Sequence, residues 1–177
     1  MKSELLSAAS RWFRIAQAHW SDPLDPSFSR RGGGRWNPPG GHAALYFNGD
    51  LVTARFNFRR FARHHGYEPE DLDQATGPIL VEATLPRRQE VADAHTPDGV
   101  KELRLPPTYP LDSKGRIVPW AHCQQIGVRI RAAGLRGVHC RSAEVPERAG
   151  RELAWFPATS RSRAKRVRTW HFPRWYW

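Results

Sequence analysis

Cysteine is almost missing from this chain: Cys123 and Cys140 are the only two in 177 residues. Neither sits in a metal-ligand spacing, so a zinc-finger framework has no basis and a disulfide-stapled fold has little. The two read as free thiols of a reducing cytosol. Long apolar runs are lacking too, since none approaches the roughly 20 residues of a membrane span. The start, Met1 to Leu6, carries no apolar stretch of signal-peptide length. The expected setting is therefore cytoplasmic, with no membrane association. No internal repeat is visible. Acidic residues are scarce, with 17 Asp and Glu against 28 Lys and Arg, for a formal charge of +11. That deficit predicts attraction to something acidic: nucleic acid, a phosphate-bearing small molecule or an acidic protein.

What the chain does have is a dense motif, Gly32-Gly33-Gly34-Arg35-Trp36-Asn37-Pro38-Pro39-Gly40. Glycines permit positive φ and close approach, and the prolines stiffen and turn the chain. Between them stand a fork of donors (Arg35), a flat ring (Trp36) and a bifunctional amide (Asn37). One reading is a rigid loop that presents an anion-binding, ring-stacking surface. The other is a turn-rich connector in which Arg and Trp pack on each other.

The length suits one domain with a real core. Ser3 to Ser10 has helical composition, and Trp12 to Ala16 reads as a strand interrupted by Arg14. Ser21 to Arg31 reads as loop, and Ala43 to Phe47 as a buried strand. Asn48-Gly49-Asp50 makes a turn with a plausible N-cap. Leu51, Ala54, Phe58 and Phe61 then follow at helical spacing. Asn57 falls at the edge of that apolar face, able to aim a polar group into a cleft. Ile79 to Leu85 is a further strand, and Arg87 to Val118 a proline-rich excursion with at most a short helix. Pro119 opens a helix whose buried stripe is Trp120, Cys123, Ile126 and Ile130, closed by Gly134. Gly137 to Cys140 and Glu152 to Pro157 complete the strands.

The tail from Arg161 to Trp177 sets Arg161, Arg163, Lys165, Arg166 and Arg168 before Trp170, Phe172, Trp175, Tyr176 and Trp177. Basic residues with interleaved aromatics can grip single-stranded nucleic acid. The competing reading is a structural arm that packs its aromatics on the domain, and the absence of a helix-turn-helix or zinc-finger pattern favours it. The expected division is a domain over 1–160 and a packed arm over 161–177.

The motifs, taken in order, resemble the RES domain, the toxin half of RES–Xre toxin–antitoxin pairs. The matching pieces are Trp12-Phe13-Arg14-Ile15, the run Gly33 to Gly40, Ala44-Leu45-Tyr46 and Glu82 to Pro86. Downstream they are Gln125-Ile126-Gly127, Gly134 to Val138 leading to Ser142-Ala143, and Leu153 to Phe156. The resemblance implies an α+β fold of the ADP-ribosyltransferase type, a mixed or antiparallel sheet with flanking helices. It also implies an activity that destroys NAD+ as substrate, with no resident cofactor and with phosphate as a co-substrate in some members. Arg35 matches the family's named arginine and Ser142 its serine, while Arg14 and Tyr46 match further pocket residues. The family's glutamate, expected at the end of an alanine-x-x-glutamate pattern on the helix after the Leu45-Tyr46 strand, falls on Asn57.

Breaking the nicotinamide–ribose bond builds positive charge on the ribose, which a fixed carboxylate stabilises. Arginines such as Arg14 and Arg35 suit a pyrophosphate. Trp36, Asn37, Tyr46 and Ser142 are the further candidates for contact with the nucleotide, and Arg35, Tyr46, Asn57 and Ser142 for the chemistry. With Asn57 in the glutamate's place, two classes stay open. One is an NAD+-degrading enzyme, the other an inactive relative that binds NAD+ or a protein. The expected protein partner is an Xre-type antitoxin or another acidic chain, with direct nucleic-acid binding through the tail a third alternative.

Overall fold

A computed structural model describes residues 1–145, 150–159 and 163–177. Arg161 of the basic tail lies outside them. Eight strands form one sheet: β1 (Ser3–Leu5), β2 (Trp12–Ala16), β3 (Leu45–Asn48), β4 (Ile79–Thr84), β5 (Glu90–Ala94), β6 (Gly137–Arg141), β7 (Arg151–Trp155) and β8 (Lys165–Trp170). Five helices accompany them: α1 (Ser27–Gly32), α2 (Leu51–His64), α3 (Pro97–Glu102), α4 (Trp120–Ala132) and α5 (Phe172–Tyr176). The strand order is β1-β5-β6-β7-β3-β2-β4-β8. Neighbours run antiparallel except β5 and β6, which are parallel. This is the expected α+β architecture. None of the described helices is long and apolar enough to cross a membrane.

The core lies in three packed groups. Trp36, Tyr109, Cys123, Ile126, Ile130 and Phe156 pack together where α4 meets the sheet. Trp12, Leu45, Phe47, Leu153 and Trp155 form the second group. The third joins Ala54, Phe58 and Ala62 of α2 to Leu80, Phe172 and Trp175. Both cysteines are buried free thiols.

Several sequence expectations need correction. Ser3–Leu5 is an edge strand, because its backbone pairs with β5 and local helical preference yields to the ladder. The expected loop at Ser21–Arg31 holds the start of α1. The excursion after Arg87 contains β5 as well as α3. Phe61 is 46% exposed and Trp120 55% exposed, so neither belongs to its helix's buried stripe. Asp50 does cap α2, accepting from the Thr53 N–H at 2.7 Å.

The tail belongs to the sheet and to the third core group. β8 pairs with β4, and α5 packs on α2. Phe172 and Trp175 are fully buried, Trp170 and Tyr176 are half-buried, and Trp177 is exposed. The Arg55 guanidinium donates to the Trp175 and Trp177 carbonyls at 2.8 and 3.3 Å. Aromatics committed to the core cannot stack on bases, so the nucleic-acid reading loses most of its platform.

Candidate functional site

The glycine-rich segment folds inward. Gly33 takes φ 74°, a conformation glycine adopts without penalty, and the Gly34 N–H donates to the Asn37 carbonyl at 2.9 Å. Trp36 and Asn37 end up 1% and 0% exposed. Asn37 donates from Nδ2 to the Ser29 carbonyl at 2.8 Å and accepts from the Tyr46 hydroxyl at 2.6 Å. That hydroxyl in turn accepts the Trp36 N–H at 2.9 Å. The Gln124 amide holds the Gly34 carbonyl at 2.9 Å. Helix α4 comes so close that a Cβ at Gly127 would collide with the Trp36 carbonyl oxygen. Trp36 and Asn37 are therefore scaffold beneath the site, and the ring-stacking surface expected of them does not form. Their burial follows from Gly127 opening a seat on α4 for the loop.

One cleft has a volume of about 460 Å³, within the range of small-molecule sites. Its polar lining includes Arg14, Tyr46, Asn48, Asn57 and Glu152, and its apolar rim includes Trp20, Phe28 and Phe61. Arg14 stands where β2 and β3 separate after their single pairing at Phe13 and Asn48. Its Nε donates to the Pro23 carbonyl at 2.8 Å and its Nη1 to the Tyr46 carbonyl at 3.2 Å. The Trp20 ring lies 5.9 Å away, in cation–π range. Burial brings the Arg14 pKa down to about 10, which still leaves a full positive charge at neutral pH.

At the floor of the cleft Asn57 joins three elements. Its Nδ2 donates to Asn48 Oδ1 at 2.7 Å and to Glu152 Oε1 at 2.8 Å. Its Oδ1 accepts from the Ser142 hydroxyl at 3.1 Å. Asn48 and Glu152 are register partners across β3 and β7, which fixes their side chains on the same face of the sheet. Ser142 follows β6, is 1% exposed, and reaches the cleft through Asn57.

Burial pushes the Glu152 carboxyl above the ordinary carboxylate range. The Asn57 amide, the Arg35 charge and Ser142 oppose that rise, and Glu144 adds to it. Arg35 does not line the cleft. It acts on the cleft electrostatically: burial works against its charge, while Tyr109 and Glu152 more than compensate and raise its pKa. Burial likewise raises the Tyr46 hydroxyl above its usual range, so it stays protonated and can donate to Asn37.

The structure thus gathers Arg14, Tyr46, Asn57 and Ser142, holds Arg35 within electrostatic reach, and places Trp36 and Asn37 underneath. Sequence reasoning passed over Asn48 and Glu152. A carboxylate opening an otherwise apolar strand, Glu152-Leu153-Ala154-Trp155, was the available signal for the second. Among the described residues no group of three or more His, Cys, Asp or Glu could hold a metal ion.

Comparison with known proteins agrees with the geometry. The RES domain family matches residues 11–175, a span that includes β8 and nearly all of α5, so the tail lies within the match. Among curated proteins none matches the sequence. A solved structure of the MbcT–MbcA toxin–antitoxin complex of M. tuberculosis contains a chain of the same fold. The TM-score is 0.76 at 20% identity, over 97% of this chain and 91% of that one.

Proposed function

The chain belongs to the RES domain family, and we propose that it is a toxin that binds NAD+ in the cleft above Asn57 and cleaves the nicotinamide–ribose bond. The observation that carries this reading is convergence. Arg14, Tyr46 and Asn57 come from separate elements far apart in sequence, yet line one cavity of small-molecule size, and Ser142 is tied to it through Asn57. Arg14 supplies a charge that survives burial, suited to a pyrophosphate oxygen. The apolar rim of Trp20, Phe28 and Phe61 offers faces for a base or a nicotinamide ring.

The chemistry is a heterolysis. The bond between ribose C1′ and the nicotinamide nitrogen breaks, and its electron pair leaves with neutral nicotinamide. A phosphate or water oxygen then donates a pair to C1′, and with water one proton is released. The site's work is to hold the dinucleotide and to stabilise the positive charge on the ribose. A toxin of this kind needs a neutralising partner. The formal charge of +11 and the likeness to a chain from a toxin–antitoxin complex support an acidic antitoxin, of the Xre type in the family's pattern.

The test is direct. Purified protein incubated with NAD+, with and without inorganic phosphate, should release nicotinamide, and the phosphate dependence identifies the acceptor. A protein that neither binds NAD+ in calorimetry nor releases nicotinamide would remove the nucleotide reading.

A further inference from the structure

The helix on which the family resemblance places a carboxylate brings an amide, Asn57, and the cleft nevertheless holds a carboxyl group. Glu152 is the one acidic residue among those lining it. It approaches from β7 rather than from α2, and its Oε1 lies 2.8 Å from the Asn57 Nδ2. Resting on the NAD+ reading above, we infer that Glu152 is the catalytic carboxylate of this protein and that Asn57 is its positioning residue, so that the charge sits on the strand and the amide on the helix.

Three observations carry this. First, position: Glu152 faces the same cavity as Arg14, Tyr46 and Asn48, where a bound ribose would lie. Second, restraint: Asn57 is held at three points, by Asn48, Ser142 and Glu152, so its amide is a fixed clamp. A carboxylate pinned by an amide on one oxygen keeps its other oxygen for a ligand. Third, necessity of partners: a half-buried carboxylate between Asn57, Ser142 and the Arg35 field is costly to keep, and a purely structural role is met equally by an amide. Glu152 forms no salt bridge within 4.0 Å among the described residues, and the Arg35 charge favours its ionised form without such a contact. The developing ribosyl cation adds a further counter-charge only in the transition state, which is where such an interaction accelerates a reaction.

Glu152 forms no covalent bond in this scheme. The C1′–N pair leaves with nicotinamide, the phosphate or water oxygen bonds to C1′ from the open face, and Glu152 stabilises the charge in between. Its ionisation is set by groups on every neighbouring element. These are Asn57 on α2, Arg35 in the glycine-rich loop, Ser142 and Glu144 after β6, and Cys140 on β6.

The experiment compares nicotinamide release and NAD+ affinity in the unaltered protein, Glu152→Gln, Asn57→Ala and the transposed pair Asn57→Glu with Glu152→Asn, each checked for folding by thermal melt. Glu152→Gln is isosteric and should lower turnover about 10²–10³-fold while NAD+ affinity changes only a few-fold. The transposed pair should recover at least tenfold over Glu152→Gln. Asn57→Ala should move the acid limb of the turnover profile to higher pH, because it removes the hydrogen bond that favours the ionised carboxylate. Full turnover in Glu152→Gln would overturn the inference and leave the NAD+ reading standing. An unaltered protein that shows no turnover would overturn both.

Discussion

Asn57 and Glu152 are a polar pair that folding alone would not select. Burial raises the Glu152 pKa, so the native state holds that proton more tightly than the unfolded chain does. The sign follows from proton counts. Between the ordinary carboxylate pKa and the raised native value, the native state binds more protons, so stability falls as pH rises through that window. Glu152→Gln removes the term, and denaturant unfolding at acid and neutral pH should show it. The variant should gain stability relative to the unaltered protein as pH rises, and a gap that does not change with pH would refute the assignment. Tyr46 makes the complementary case. Its hydroxyl accepts from the Trp36 N–H and donates to Asn37, both buried. Tyr46→Phe should cost about 1–3 kcal/mol by stranding those groups, read as a lower melting temperature. At this scale the sequence was partly legible. Helical spacing alone placed Asn57 at the rim of the apolar face of α2. Glu152 showed only as a carboxylate opening an apolar strand; its partnership with Asn57 was not legible, because it spans 95 positions and depends on the β3–β7 register.

Helix α4 and the tail carry the tests that belong to whole elements. Gly→Ala within a helix ordinarily gains about 0.5–1 kcal/mol. At Gly127 the sign should reverse, because the new methyl would strike the Trp36 carbonyl and lift the loop from its seat. A loss of about 1–3 kcal/mol is expected from such overpacking, together with weaker NAD+ binding as Tyr46 and Asn37 shift. A stabilised Gly127→Ala protein would show that the loop does not depend on that contact. For the tail, Trp175→Ala should cost about 3–5 kcal/mol. Its ring is fully buried, edge-on to Phe58 and Phe172, and its indole N–H is bonded to the Pro78 carbonyl at 3.0 Å. Elements with strong apolar periodicity or clear caps, such as α2 and β4, could be read from sequence. β1 and β5 could not: they are short and polar in part, β1 exists by pairing with β5, and β5 by pairing with both β1 and β6. The tail looked separable because its strand is exposed along Lys165–Thr169, and its anchoring residues come only at the very end.

The charge of the whole molecule bears on the partner more than on the substrate. A formal +11 on 177 residues produces a field that steers acidic chains from a distance and is screened over about 8 Å at physiological salt. Much of that charge lies on exposed arginines that form no part of the cleft: Arg59 on α2, and Arg166 and Arg168 on the edge strand β8. A small anionic substrate meets only the few cationic groups at the cleft, whereas an acidic protein laid across the face meets many. Salt should therefore separate the two. Association with the proposed acidic antitoxin should slow steeply and weaken between low and high ionic strength, mainly through the on-rate. NAD+ affinity should fall much less over the same range, because only the few charges at the cleft, with Arg14 largely desolvated, act on it. Charge reversal of Arg166 and Arg168 to Glu tests the assignment of surface to partner. These residues are exposed and outside the cleft, so NAD+ turnover should stay the same while antitoxin association slows. If the reversal leaves association unchanged, the partner docks elsewhere. If salt weakens NAD+ and partner binding equally, both depend on the same few charges, and the proposed separation between the cleft arginine and a basic docking face fails.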